Sequence, residues 1–401
     1  MQLQKVIVVG GGYAGVMCAL RLAGRGRGRG KLKITLVNPR EEFVERLRLH
    51  EALTVPPKYD MRSFRYDQFL AKRNVAFVCG QVVAVSPNEK EVRVSAPDGT
   101  IETLAYDRLV VASGSTSALG HIPGQNEHAF AMNLGESRCA PALKQKLSQI
   151  EAPRVSIVGG GATGIELAAE IAQKPGASVT LMCRSTLGEG LTEPVRRRVR
   201  AELIRQGVSI QESTLVKAIA SDYVTTDDQK IAHDLCVTAT GFEVDQIWGG
   251  AGLEVLSNGR IVTDTFLRAK GYAEIYAAGD AAYCQARRSA PPRMSVMYAM
   301  ASGAHIADAI VDEAKGKIPR RFGFWTYGQA IGLGAQAVGF GNMRFDRAYA
   351  PYFTGRTGYH LRHFFVAILF RLLLLEARMP GFPFYLGRPS GRNPSEWCNQ
   401  R

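Results

Sequence analysis

Two glycine triplets carry the chemistry this sequence is able to do. Gly10, Gly12 and Gly15 stand in the spacing G-x-G-x-x-G inside Lys5 to Gly15 (KVIVVGGGYAG), with Tyr13 and Ala14 between the second and third. Gly159, Gly161 and Gly164 repeat the spacing inside Arg154 to Gly164 (RVSIVGGGATG), with Thr163 in the corresponding place. Each triplet follows an apolar run that reads as a buried parallel strand and precedes residues at helical spacing. In that context the first glycine permits a tight turn. The second lets the backbone approach a pyrophosphate, and the third lets helix and strand pack closely. The diphosphate then rests on free N–H groups at the positive end of the helix. One such fingerprint in a chain with 42 glycines is weak. Two with matching flanks specify two dinucleotide sites.

Several elements must position these loops. Lys33 to Val37 is the second strand of the first unit and ends at Asn38-Pro39. There Asn38 replaces the acidic residue that accepts from a ribose hydroxyl and still offers a hydrogen bond. The preceding Gly24 to Lys31, alternating with arginine, reads as a basic connection. Phe43, Arg46, Arg48 and His50 form a basic and aromatic cluster, either on the surface or lining an acceptor side. Val75–Val78, Gln81–Val85 and Glu91–Ser95 read as a small antiparallel meander. Tyr106 to Ser115 is a parallel strand running into the small-residue turn Ala112-Ser113-Gly114. Ser178 to Met182 follows the second helix, and another such turn ends at Gly241. Glu274 to Ala278 is a strand ending at Gly279-Asp280, with a helix expected to begin at once. Asp280 can accept from a polyol hydroxyl or cap that helix. A helix is expected over 294–315, striped by Met294, Met297, Met300 and Ala301.

Tyr359 to Glu376 differs in kind. Its apolar run, Phe364 to Leu375, is twelve residues interrupted by Arg371, too short to span a bilayer. It reads either as a core helix or as one lying in the headgroup layer with Arg362, His363, Arg371 and Arg378 at its margins. The net charge of +14 suits a solvated basic surface, an anionic membrane face or phosphorylated cofactors. Nucleic acid is not expected, because no aromatic platform interleaves with the arginines. The seven cysteines are scattered with no C-x-x-C, so no metal site, disulfide framework or redox dithiol is expected, and a reducing, cytoplasmic compartment fits. The N-terminus enters a strand at once, which leaves no signal peptide in the expectation.

With GGGYAG at 10–15, ASGS at 112–115, GGGATG at 159–164, ATGF at 239–242 and YAAGDAA at 276–282, residues 5 to 312 resemble the pyridine-nucleotide-dependent flavoprotein oxidoreductases. Within them the chain is similar to the type II NADH:quinone oxidoreductases. The resemblance implies an α/β fold with two Rossmann-like domains. These are a discontinuous FAD-binding domain over 1–120 and 262–315, and an NAD(P)H-binding domain over 121–261. A C-terminal extension over 316–401 completes the chain.

It implies FAD pyrophosphate on Gly10 to Gly15, the adenosine ribose at Asn38-Pro39, Ala112 to Gly114 beside FAD, and Gly279-Asp280 at its ribityl or phosphate region. NADPH or NADH would lie on Gly159 to Gly164 and near Gly241, with Glu166 by the nicotinamide amide. Glu166 is thus the side chain expected to touch the reacting cofactor, although it could merely face the sheet. Hydride transfer asks for orientation rather than an acid–base dyad, and a helix beginning after Ala281 is expected to stabilise the reduced flavin.

The subgroup carries glutamines on the helix after A-A-G-D, where this chain has Val296 to Ser302 (VMYAMAS). It also ends its second unit in Glu, where this chain has Cys183-Arg184-Ser185. Arg184 could pair with a 2′-phosphate. The acceptor is expected to be a small molecule, a quinone or another carrier, with Met297, Met300, Tyr327 and Gln329 as pocket candidates. Membrane contact through 359–385 and a homodimer are compatible with this reading. The alternative is a soluble NAD(P)H-dependent flavin reductase serving a small substrate or a carrier protein. A sulfide:quinone reductase would need Cys139 and Cys284 to meet.

Overall fold

The computed structural model describes residues 3–26, 32–53, 62–133, 138–284, 293–324, 328–341 and 352–381. Tyr327 and residues 27–31 and 382–385 lie outside them.

Strand β1 (Gln4–Val9) runs into helix α1 (Tyr13–Arg25), and β2 (Leu32–Asn38) returns parallel to it in the register Val6↔Ile34. β3 (Val75–Cys79) adds outside β2, and β4 (Arg108–Val111) pairs with the other edge of β1. The period of two in β1 divides the core. Val6 and Val8 pack under α1, whereas Ile7 and Val9 pack on the opposite face with Val92, Val94 and Trp248.

A second sheet repeats the plan. It contains β5 (Ala129–Ala131), β6 (Arg154–Val158) followed by helix α2 (Ala162–Ile171), then β7 (Ser178–Met182), β8 (Ser209–Gln211) and β9 (Leu235–Thr238). The chain then returns to the first sheet with β10 (Ile275–Ala277) beside β4, and helix α3 (Val296–Ala314) lies along α1. The strand orders are β10-β4-β1-β2-β3 and β5-β9-β6-β7-β8, all parallel. Four strands of each sheet share one order, β4-β1-β2-β3 and β9-β6-β7-β8, while the fifth, edge strand is the last in the chain in the first sheet and the first in the second. The approach of α1 to α3 depends on Gly303, where a Cβ would stand 2.1 Å from the carbonyl of Ala14.

Two local expectations are corrected. Val75–Val78 is not part of the meander: it belongs to β3, parallel to β2, and the meander is Gln81–Ser86, Glu91–Ser95 and Ile101–Ala105. Gly80 makes the exit from the sheet, because a side chain there would meet Val94 at 2.5 Å and the carbonyl of Ser95 at 2.8 Å. Nor does a helix start after Asp280. Gly279–Ala281 makes one 3-10 turn, and Ala282–Cys284 is a strand parallel to Ile261–Thr263. The helix begins at Val296, capped by the Ser295 hydroxyl accepting from the Tyr298 N–H.

The C-terminal part forms a hairpin, β11 (Gly328–Leu333) and β12 (Gln336–Gly341), then β13 (Tyr352–Phe353) and helix α4 (Gly355–Arg378). α4 crosses β12 and packs on α1. Arg362, Phe370, Leu373 and Glu376 are buried, while Phe364 and Phe365 are 58% and 56% exposed.

Candidate functional site

The two glycine loops are the same construction. Gly10 has φ +104°, and a Cβ there would lie 2.1 Å from the carbonyl of Ala112; Gly159 has φ +120°, with the same atom 2.3 Å from the carbonyl of Ala239. Gly15 and Gly164 let each helix settle on its own loop, since a Cβ would stand 1.9 Å and 1.8 Å from the carbonyls of Gly10 and Gly159. The middle glycines are different. A Cβ on Gly12 or on Gly161 would meet nothing within 4 Å among the described residues.

The fold therefore does not require glycine at those two positions, but a ligand seated against the backbone would. Gly12 and Gly161 are also the N-caps of α1 and α2, and neither helix has a side-chain cap or an acid in its first turn. The leading N–H groups of a helix have no partner within it, and such an N-terminus suits an anion. The residues present fit a diphosphate at each loop.

Around the first loop, Asn38 is buried and already engaged. Its Oδ1 accepts from the Gly11 N–H at 2.9 Å, and its Nδ2 donates to the carbonyl of Arg40 at 2.8 Å. The Tyr66 hydroxyl donates to the carbonyl of Gly11 at 2.5 Å. Asn38 thus braces the loop, and one lone pair and one N–H remain for a ribose. Tyr13 packs edge-on against Phe43, and Ala14 sits under Gly279. Pro39 and Ser113 are exposed at the open edge, Ala112 is buried, and Gly114 takes φ +71° beside open space. Asp280 accepts from the Ser115 hydroxyl at 2.8 Å. Burial raises its pKa, against the pull of Ser115 and of the Arg260 and Arg46 charges. The Gly279 N–H donates to Ser302 Oγ at 2.9 Å, which ties this turn to the second turn of α3.

Around the second loop, Cys183 takes the place that Asn38 holds in the first, with its sulfur 2.3 Å from a Cβ built on Gly160. Burial pushes its thiol up to about 11, so it stays neutral. Arg184 is exposed beyond it, Thr163 is half-buried and Gly241 is exposed with φ +126°.

Glu166 leads to a feature the sequence did not disclose. Its Oε1 accepts from the Gly332 N–H of β11 at 2.8 Å and from Arg362 of α4 at 3.1 Å. Arg362 also donates to Glu51 and, at 3.1 Å, to Nε2 of His50. Glu51 accepts from Arg48 Nε at 2.6 Å and contacts His363 at 3.2 Å. Burial alone would raise the Glu51 carboxyl, but hydrogen bonds from His363 and Arg48 and the charge of Arg362 hold it far below the usual range. Burial lowers the pKa of His50. Accepting from Arg362 at Nε2 leaves its proton on Nδ1, which lies 3.7 Å from Glu166 Oε2. Arg48 and His50 are thus buried members of an ionic hub that joins the 3-10 segment Arg46–Leu53, α2, β11 and α4.

Other candidates scatter. Met300 is fully buried in the core between α1 and α3, and Met297 is half-buried. Gln329 accepts from Arg293 at 3.0 Å. Cys139 stands at the start of the helix Ala140–Gln149 and Cys284 in the strand Ala282–Cys284; both are unpaired thiols. Arg362 does not face a headgroup layer: it is buried, whereas Arg371 and Arg378 are exposed.

Comparison with known proteins agrees with this geometry. The demethylphylloquinone reductase NdbB of Synechocystis is 29% identical over 291 residues, 69% of this chain and 72% of that protein. A type II NADH:quinone oxidoreductase of Staphylococcus epidermidis is 26% identical over 360 residues, 83% of this chain and 88% of the other. Among solved structures, NDH2 of Plasmodium falciparum in complex with NADH superposes with a TM-score of 0.74 at 16% identity, over 96% of this chain and 100% of that one. Residues 4–303 match the family described as pyridine nucleotide-disulphide oxidoreductase. The match covers both cradles and most of the chain, which belongs to that family, as an FAD-dependent oxidoreductase of NADH or NADPH.

Proposed function

We propose that the chain takes electrons from NADH or NADPH at the second cradle, passes them through FAD at the first, and delivers them to a quinone at a membrane surface. The observation that carries this reading is the pair of middle glycines, Gly12 and Gly161, each facing space that the described residues leave empty. FAD, when bound, supplies the two-electron chemistry that connects a pyridine nucleotide with a quinone.

The chain's own part is to bind and orient. Gly10 to Gly15 and Gly159 to Gly164 hold the diphosphates, with Tyr13, Ala14 and Thr163 shaping the loops. Asn38 and Pro39 border the adenosine ribose, Ala112 to Gly114 border the flavin, and Asp280 accepts from the ribityl side. Glu166, fixed by Gly332 and Arg362, accepts from the nicotinamide amide near Gly241 and holds the ring still. Quinones as acceptors are supported by the names of the two sequence relatives. Membrane docking is supported by Phe364 and Phe365 exposed on α4, by Met379 exposed just after it, and by the net charge of +14.

The stretch Val296 to Ser302, without the glutamines that the resemblance to the subgroup implies there, favours a second reading in which the acceptor is a different small molecule or a carrier protein. Steady-state NAD(P)H oxidation with benzoquinones, naphthoquinones and one-electron carriers separates the two. Turnover fastest with a quinone, and stimulated by anionic vesicles, is expected. Turnover confined to one-electron carriers, with no vesicle binding, contradicts the quinone reading.

A further inference from the structure

We infer that the second cradle selects NADPH over NADH, with Arg184 as the residue that recognises the 2′-phosphate. This rests on the oxidoreductase reading above and names its electron donor.

The ledge after β7 is held rigidly beside the glycine loop. The Cys183 N–H donates to the carbonyl of Gln211 at 2.7 Å, Thr214 N–H to that of Cys183 at 2.9 Å, and Ser213 N–H to that of Ser185 at 3.1 Å. The Gly188 N–H donates to the carbonyl of Gly160 at 2.8 Å, closing the next loop onto the cradle. This is the strand end where a carboxylate, accepting from a ribose 2′-hydroxyl, would favour NADH and repel a phosphate. Cys183 is there instead, a neutral buried thiol that carries no charge.

The acids nearby are committed elsewhere. Glu212 accepts from the Leu187 N–H at 2.6 Å and pairs with Arg200 at 2.5 Å. Glu189 accepts from the Ser185 hydroxyl at 2.8 Å, but it is exposed and free to turn into solvent. Arg184 is exposed, projects from the fixed ledge and has no ion-pair partner among the described residues. A guanidinium without a carboxylate, next to a loop built for a diphosphate, matches a dianionic phosphate bidentately. Ser185 adds a hydroxyl donor once Glu189 releases it.

The test uses the flavin-loaded full chain. Calorimetry compares 2′,5′-ADP with 5′-ADP, and anaerobic stopped-flow compares flavin reduction by NADPH and by NADH, for the native protein, Arg184→Ala and Arg184→Lys. The native protein binds 2′,5′-ADP at least about tenfold more tightly than 5′-ADP, the scale of one hydrogen bond to a charged group. Arg184→Ala collapses that ratio toward one and lowers the NADPH-over-NADH ratio of kcat/KM by a similar factor, and Arg184→Lys restores part of both. Equal affinity for the two nucleotides, or a ratio untouched by Arg184→Ala, overturns the inference while NADH still reduces the flavin. Tight, Arg184-dependent binding of 2′,5′-ADP with a flavin that neither nucleotide reduces would uphold this site and overturn the oxidoreductase reading instead.

Discussion

Gly12 and Gly15 are three positions apart, and replacing each by alanine separates what a ligand demands from what the fold demands. A methyl group on Gly15 would sit 1.9 Å from a carbonyl oxygen, so Gly15→Ala must push α1 off its strand. It should cost about 3 kcal/mol, seen as an earlier denaturant midpoint. A methyl group on Gly12 meets nothing among the described residues. Gly12→Ala should keep the unfolding midpoint of the flavin-free protein and lose flavin on purification. Gly161→Ala should stay yellow and lose nucleotide binding. An equal drop in stability for all three would contradict the distinction. The triplets were legible because their meaning is local: strand, turn and helix follow one another in the chain. The engagement of Asn38 with the Gly11 N–H was not, since it depends on where β2 ends relative to the loop after β1.

At the scale of elements, α4 carries the largest departure from expectation. The apolar run from Phe364 to Leu375 has eleven apolar residues and Arg371, but the helix is 24 residues long, and by length and composition it could cross a membrane. Two ionic anchors hold it against the protein instead. Arg362 pairs with Glu51 and Glu166 near one end, and Glu376 pairs with Arg21 of α1 at 2.8 Å near the other. Arg362, Leu369, Leu373 and Glu376 recur at i, i+7, i+11 and i+14, so the charges lie on the same stripe as the buried leucine. That spacing was visible in the sequence. Their partners were not, because Arg21 is 355 residues from Glu376 and sits inside an otherwise apolar helix.

Glu376→Ala leaves Arg21 buried with only part of its compensation from Asp308. It should lower unfolding free energy by about 3 kcal/mol in a denaturant titration. Replacing Phe364 and Phe365 by glutamate, on the exposed face, should leave that titration within about 0.5 kcal/mol and abolish sedimentation with anionic vesicles. Retained sedimentation would remove α4 from the docking surface.

For the molecule as a whole, burial of neutral histidines sets the response to acid. Burial lowers the pKa of His50 and His233, and takes that of His305, packed 5.1 Å from the Phe322 ring, to about 4. Their unfolded values lie near 6.5, so below that pH the unfolded chain binds protons that the folded chain refuses. Stability is full above pH 6.5 and falls as pH drops toward 4. Glu51, held below its unfolded value of 4.5, extends the loss further into acid. Denaturant midpoints at pH 8, 6 and 5 should decline in that order, and His305→Leu should flatten the decline. A midpoint that rises from pH 8 to 5 would contradict the buried neutral histidines.

The doubled architecture was legible from two repeated fingerprints. The ionic hub that ties α4 to the segment Arg46–Leu53, to α2 and to β11 was not, since its members come from four separate stretches of chain. The central claim is that two cradles serve one transfer of electrons, and anaerobic stopped-flow on the flavin-loaded protein tests it most directly. Loss of the oxidised flavin absorbance, saturating with reduced pyridine nucleotide and abolished by Gly161→Ala, is the result the account predicts. Bound flavin that stays oxidised in the presence of both NADH and NADPH would contradict it.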